Sequence, residues 1–334
     1  MTAVFAIPSL PSSILFVLLG LLLLLAVIPA RGQTLEEFKE FHRLLRINAA
    51  EHVLLCNQAT DPSGEPEVYG VLRDSLGRPV QITQFRFGNL DTRDVWTTMR
   101  ISYLRLDTIN SIIERRTFYN ASGTPVDIMI SGVFTEEILR RTNGQLVMRQ
   151  YKNRAGKQAN DTAGVSRSIY REPENGEIKQ EWFFSTGKQH YGTGSDGPLR
   201  PFAHMAPQTY YRLMKINEQG ELLRERLLDF DAVPIPFPNG AMMMAYELND
   251  CGQPVRVTFL DSYGEPMADN DGVAYTTMKY DDAGRAIEWR AFDLSGSPHA
   301  RRSDGIAGTR YIYRDFDAYL MRVEKFDAKG NILP

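Results

Sequence analysis

A frame of 32 residues repeats through the C-terminal half of this chain, and no other feature limits its fold as strongly. LNDCGQPVRVTFLDSYGEPMADNDGVAYTTMK (Leu248–Lys279) lies over YDDAGRAIEWRAFDLSGSPHARRSDGIAGTRY (Tyr280–Tyr311). Pro234, Pro266 and Pro298 are 32 apart, as are Gly240 and Gly272, and Gly305 falls one residue late. A fixed period of this size marks a repeat array, in which each unit is one supersecondary element stacked on its neighbours.

Each unit carries two turn signals twelve residues apart, Gly252 and Gly264 in one and Gly284 and Gly296 in the next. The first has the form Asp-x-Gly, as in Asp250-Cys251-Gly252 and Asp282-Ala283-Gly284. An Asp or Asn side chain opens such a turn, and glycine supplies the positive φ of a tight hairpin. Between the turns Ile287, Trp289 and Ala291 alternate with Glu288 and Arg290, the pattern of a half-buried strand. After the second turn a loop of about ten residues ends in Asn239-Gly240, Asp271-Gly272 or Asp304-Gly305, and a second strand, Val273–Tyr280, returns to the next turn. One unit is therefore two strands, a tight hairpin and a longer loop, and Val273–Tyr280 is expected to pair with Arg285–Asp293.

The frame extends backwards. Gly220 opens a unit in which Leu228-Asp229 and Pro234 match Leu260-Asp261 and Pro266. Gly144, Gly156 and Gly176 keep the spacing, and Gly123-Thr124-Pro125 and Gly77-Arg78-Pro79 read as turns of degraded units. Phe326-Asp327 to Gly330 repeats Phe292-Asp293 to Gly296. About seven units are expected over residues 61–334, with longer spacers near Gly88 and Gly187–Ala206. Thr135–Arg141 and Ile112–Arg116 have helical propensity, but they occupy strand slots in the frame and are assigned as strands.

Residues 1–32 read as a targeting segment: Ile14–Ile28 is apolar throughout, and Ala30-Arg31-Gly32 resembles a cleavage site before Gln33. The run lies between a signal-peptide core and a minimal membrane span in length, and no Lys or Arg precedes it, so cleaved signal and retained anchor both stand. The protein is expected to be exported (periplasmic, cell-surface or secreted), touching membrane only through this segment. Thr34–Ala59 is expected to form an amphipathic helix, with Thr34 and Glu37 as a capping box and Phe38, Phe41 and Leu45 as its apolar stripe, covering the first edge of the array. Cys56 on that segment and Cys251 in a hairpin turn either bridge, closing a loop of about 195 residues, or remain two thiols.

Nothing in the charge balance points to nucleic acid: the net charge is −3, with no long run of one sign. The histidines His42, His52, His190, His204 and His299 are scattered, and no Cys-x-x-Cys, phosphate-binding loop or nucleophile elbow occurs. The chain therefore reads as non-enzymatic, with no cofactor. Asp269-Asn270-Asp271-Gly272 is the best metal candidate, in a 265–272 loop that could serve a calcium-dependent binder or a hydrolase, but the bidentate Glu of a calcium loop is missing and no metal ligand set is assigned. Asn120-Ala121-Ser122 and Asn160-Asp161-Thr162 are glycosylation sequons. Tyr275, Trp289, Tyr311 and Tyr313 are the candidate binding residues, since a single-layer sheet leaves strand aromatics presentable to a ligand. The competing role for them is a cross-strand ladder that holds the array together.

Tyr280-Asp281-Asp282-Ala283-Gly284-Arg285 is similar to the tyrosine-aspartate dipeptide of RHS-type repeats. The fuller unit, with Phe292-Asp293, Gly296, Pro298 and Asp304-Gly305, resembles the bacterial variant of about 32 residues. The resemblance runs over Asp61–Pro334 and is clearest from Gly220 onward. It implies an all-β array of tandem antiparallel hairpins forming an extended, curled sheet, with a propeller as the rival architecture. It also implies a binding or scaffolding surface for an envelope protein or glycan, and it brings no catalytic residues. A membrane-tethered envelope structural protein is the alternative.

Overall fold

Successive hairpins add to one another in chain order. The computed structural model describes residues 33–334 apart from 92–95, 107–109, 129–131, 162–163, 173–174, 184–188, 191–210 and 315–319; the targeting segment 1–32 lies outside the described residues. The described strands form one antiparallel sheet of 21 strands, with almost no helix. After Asp61 eight hairpins are described. They are Val68–Arg73 with Pro79–Arg86, Thr98–Leu106 with Ser111–Tyr119, Thr135–Arg141 with Leu146–Lys152, and Arg167–Arg171 with Ile178–Phe183. Tyr211–Ile216 with Leu222–Leu228, Met243–Leu248 with Pro254–Leu260, Tyr275–Tyr280 with Ala286–Phe292, and Gly308–Tyr313 with Leu320–Phe326 continue the series. The second strand of each pairs with the first strand of the next, and the sheet's end strands do not pair with each other among the described residues.

The turns explain the repeat. In the Asp281–Arg285 turn the Asp281 carboxylate accepts N–H groups from Ala283 at 3.0 Å and Arg285 at 2.9 Å, while Gly284 sits at φ 78°. This is a type I turn followed by a left-handed residue and a bulge, and the register slips at Lys279/Tyr280. Asn249 does the same for Cys251 and Gln253. The capping residue thus stands three positions before the glycine, one earlier than Asp250 or Asp282, because only there do its oxygens reach the second and fourth following N–H groups. Thr135–Arg141 is a strand, Ile112–Arg116 falls within Ser111–Tyr119, and Tyr275 to Tyr280 runs against Phe292 to Ala286.

The helix expected over Thr34–Ala59 is replaced. Only Leu35–Glu37 forms a 3-10 turn, Thr34 makes no side-chain cap, and Glu40–Ile47 and Val53–Gln58 form another hairpin. The apolar spacing that suggests a helix also suits a strand, and tertiary contacts choose. Phe41 pairs with Gly70, where a Cβ would fall 2.8 Å from Phe38 Cγ, so the glycine makes room for Phe38, Phe41 and Phe85 to pack edge-on and tilted. A helix could not place both Phe41 beside Gly70 and Asn48 at a hairpin tip.

Candidate binding surface

Strand register assigns every side chain to one of two faces. Met278 opposes Trp289 and Thr276 opposes Ala291 on one face, whereas Tyr275 opposes Phe292 on the other. The first face is the buried one. At one end it carries Val71, Ile82, Met99, Ile101 and Phe118, and towards the other Tyr246, Val257, Phe259 and Ala291. Between these apolar stretches lies a charged centre, and the tip of the N-terminal hairpin covers it.

Arg116, with 0% of its side chain exposed, donates to Glu114 Oε1 at 2.7 Å, Glu136 Oε2 at 3.0 Å and the Glu51 carbonyl at 2.5 Å. Arg140 donates to the Ala50 carbonyl at 2.7 Å. Glu51, held at φ 60°, receives Arg149 at 2.9 Å and the Tyr170 hydroxyl at 2.8 Å. Burial works against the Arg116 charge, but the carboxylates of Glu136, Glu114 and Glu51 outweigh it and raise its pKa. Burial also lowers the pKa of Arg140 and, helped by Arg140, of His52. Buried charges persist only when paired in this way. The arrangement is an internal fastening, in which the carboxylates of Glu51, Glu114 and Glu136 are taken up by the surrounding arginines.

The same hairpin is fixed along its length by the turns. The Ala50 N–H donates to the Gly220 carbonyl at 3.1 Å, and Asn48 Nδ2 to the Gln219 carbonyl at 2.7 Å. Arg46 donates to Glu221 at 2.9 Å and to the Cys251 carbonyl at 2.8 Å, and Leu44 packs on Gly284. Cys56 and Cys251 are joined as a disulfide, with Cα atoms 5.8 Å apart. The glycines at positions 220, 252 and 284, read from sequence as turn residues, are also places where side chains of the N-terminal hairpin come close. No local signal announces that contact.

Over the C-terminal strands the opposite face is open and built from aromatic and charged pairs, whereas at the N-terminal end Val68 and Phe85 on that face are buried with Phe38 and Phe41. The Arg256 guanidinium lies 3.8 Å over the Tyr275 ring, and Tyr275 stacks on Phe292 at 4.8 Å and 11°. Next to them Arg290 and Arg310 lie 5.1 and 5.8 Å from the Phe326 ring. Glu288 joins the rows, pairing with Lys279 at 3.0 Å, Arg290 at 3.1 Å and Arg310 at 3.6 Å. Partial burial opposes the Glu288 charge, yet Arg290 and Lys279 hold the carboxyl below its usual range. Guanidinium groups held over rings present flat cationic surfaces, suited to carboxylates and to polyhydroxylated ligands.

The four aromatics singled out from sequence do not meet in one site. Tyr275 belongs to the open face. Trp289 lies on the buried face, packed against the Tyr246–Val257–Ala291 cluster with Arg301 5.1 Å from its ring. Tyr311 opposes Val323, on the side of Trp289, and Tyr313 lies 4.7 Å beneath Arg285 at a bulge. Sequence alternation could have paired Tyr275 with Phe292, but Arg256, Arg290 and Arg310 needed the register between units.

In the 265–272 loop Asp269 Oδ1 accepts the N–H groups of Asp271 and Val273, both at 2.9 Å. Asp271 accepts the Ser303 N–H and hydroxyl at 2.9 Å each, linking one loop to the next. Among the described residues no group of three His, Cys, Asp or Glu side chains converges as metal ligands. A shallow groove of about 420 Å³ beside the disulfide is lined by Asn57, Asn249, Gln253, Met278, Tyr280 and Asp282. Burial pushes the Tyr280 hydroxyl up to about 12, and it donates to the Pro254 carbonyl at 2.9 Å.

The chain matches no protein-family model, and no curated protein matches it in sequence. Among solved structures, the crystal structure of TcdB2-TccC3-TEV is similar over 83% of this chain and 11% of that one, at 12% identity and a TM-score of 0.28. TcdB2-TccC3-Cdc42 is similar over 80% of this chain and 18% of that one, at 10% identity and a TM-score of 0.18. A Tc holotoxin pore of Photorhabdus luminescens is similar over 80% and 17%, at 11% identity and a TM-score of 0.19. This chain spans less than a fifth of each of those chains, and likeness at these scores assigns neither family nor activity.

Proposed function

We propose that this protein is a non-enzymatic exported repeat protein of the RHS-like type, whose open sheet face is a binding or scaffolding surface for an envelope protein or glycan. One observation carries the reading: the N-terminal hairpin covers the charged centre of one face, while the other carries the Arg256–Tyr275–Phe292 and Arg290–Phe326–Arg310 rows, in which Arg310 is exposed, Arg256, Tyr275, Phe292 and Arg290 are half-buried and Phe326 is buried beneath its arginines. An array of this kind offers a long, regular surface in place of a cleft. Its alternation of rings and guanidinium groups favours extended ligands bearing carboxylates or hydroxyls. The test is a binding screen of the full chain against cell-wall polysaccharides and envelope proteins, repeated with Tyr275→Ala and Arg290→Glu. Loss of a ligand in both variants, with thermal unfolding unchanged, supports the reading; a ligand indifferent to both removes this face from consideration.

The alternative, a membrane-tethered structural element, draws on the apolar Ile14–Ile28 run alone. Membrane fractionation with N-terminal sequencing of the mature protein separates the two, since a mature start at Gln33 eliminates the tether.

A further inference from the structure

The charges of this molecule are sorted by place. The chain carries a net charge of −3, but many of its aspartates stand at the rims of the sheet. Asp229, Asp261, Asp281 and Asp293 there accept backbone N–H groups of the turns they cap. On the open face the carboxylates come from the strands, and they lie low. Register puts Glu137, Glu181 and Glu288 on the same face as Tyr275. Their side chains are 4%, 11% and 11% exposed, whereas the cations paired with them run from 27% at Lys152 to 69% at Lys279.

Each of these glutamates is shared. Glu137 pairs with Lys152 at 2.6 Å and Arg115 at 2.7 Å, and Glu181 lies 3.3 Å from Arg171 and 3.6 Å from Lys179. Glu288 serves Lys279, Arg290 and Arg310 together. One negative charge beneath two or three positive ones leaves a cationic surface for solvent to meet. Glu247, 67% exposed beside Arg256, is the exception. The strip is long: Arg171 and Lys279 stand on strands six spacings apart, about 30 Å.

The rest of the face selects among polyanions. Lys179 lies 3.5 Å from the centre of the Tyr211 ring, Arg256 3.8 Å over Tyr275 and Arg167 4.8 Å over Phe183. Bases of single-stranded nucleic acid stack on open rings, and these rings are already covered. Protein partners anchor through apolar side chains at the centre of an interface, but Leu228, Met243, Leu260 and Phe326 of this face are buried. A chain of carboxylated sugars needs neither feature, because guanidinium groups take carboxylates edge-on.

From this charge complementarity we infer that the open face takes a linear acidic polysaccharide, its carboxylates lying across the strands on the exposed cations between Arg171 and Lys279. The inference rests on the reading of this face as a binding surface and names the class of its ligand.

Biolayer interferometry of the full chain, in detergent if membranes retain it, against immobilised polygalacturonate and neutral dextran measures the binding. Polygalacturonate should be retained and dextran should not, and a rise from about 50 to 500 mM NaCl should weaken retention about tenfold or more. Arg171→Glu and Lys279→Glu should each weaken it severalfold, and together about tenfold or more. Lys329→Glu, the same charge change at an exposed turn, should leave it unchanged, with equal thermal unfolding showing that all the variants are folded. No retention of polygalacturonate, equal retention of dextran, or an equal loss in Lys329→Glu would each overturn the inference. Tighter binding of polyglutamate or single-stranded DNA to the same face would overturn it too. Tyr275→Ala and Arg290→Glu separate this inference from the reading beneath it. A ligand that they abolish, but that ignores salt and the Arg171→Glu/Lys279→Glu variant, keeps the face as a binding surface and removes the acidic polysaccharide. Polygalacturonate indifferent to all four substitutions removes the face itself.

Discussion

Leu44 and Gly284, 240 positions apart, touch so closely that a Cβ on the glycine would lie 2.9 Å from the leucine Cδ2. Gly220 stands in the same relation to Ala50, with 2.5 Å between a built Cβ and the alanine Cβ. The turns at Gly220, Gly252 and Gly284 therefore meet Ala50, Arg46 and Leu44 of the N-terminal hairpin in order, and that hairpin runs across all three.

Turn glycines should consequently differ in their tolerance of alanine. At Gly305 and Gly330, φ is 71° and 85° and nothing lies within 4 Å, so Gly→Ala costs only the left-handed backbone term, about 1 kcal/mol. At Gly284 the overlap with Leu44 adds a packing penalty, and the total should reach about 2–4 kcal/mol. Urea unfolding midpoints of the three variants measure the difference; equal midpoints would remove the role given to the Leu44 contact.

The disulfide should be a strong restraint. Cys56 and Cys251 close a loop with a sequence separation of 195. Constraint of the unfolded chain over such a loop contributes about 2–5 kcal/mol. Thermal unfolding with and without reductant, and of Cys56→Ala/Cys251→Ala, should show the same downward shift in Tm. The charged centre should survive at temperatures below the new midpoint.

Removing one member of the buried charged centre should harm more than removing an exposed ion pair. Arg116→Ala strands Glu114 and Glu136 without their shared partner and leaves the Glu51 carbonyl unsatisfied, a loss of about 3–5 kcal/mol. Arg154→Ala, which breaks the exposed pair with Asp127, should cost under about 1 kcal/mol. Chemical denaturation of both variants gives the comparison.

Stability should fall in two acid steps. His52 is held below its ordinary 6.5 by burial, so the unfolded chain binds that proton more readily, and stability declines as pH drops below 6.5. His52→Gln should flatten that part of the curve. Glu40 is held near 2 by Arg73, against 4.5 in the unfolded chain, so its contribution is present above 4.5 and lost as pH falls towards 2. Its size is on the order of 1 kcal/mol at this partly exposed site. Arg73→Ala should return the Glu40 carboxyl towards 4.5 in an NMR titration.

Local chemistry fixed the repeating element. Turns that need a left-handed residue and an Asx cap, alternating apolar residues between them, and a period of 32 leave few options besides tandem hairpins, and Tyr275–Tyr280 against Ala286–Phe292 follows from those alone. The first hairpin was not legible, because Phe38, Phe41 and Leu45 satisfy helical spacing, whereas in the structure only Phe41 and Leu45 lie in the strand and Phe38 precedes it. Its conformation is decided by Gly70, Phe85 and the carbonyls at 219, 220 and 251. Which face is buried, which aromatics share a side, and that Glu51 meets Arg116, Arg149 and Tyr170 depend on how far the sheet curls. Curl is the sum of many small twists between neighbouring strands, so no single stretch of sequence encodes it and only the assembled sheet decides it.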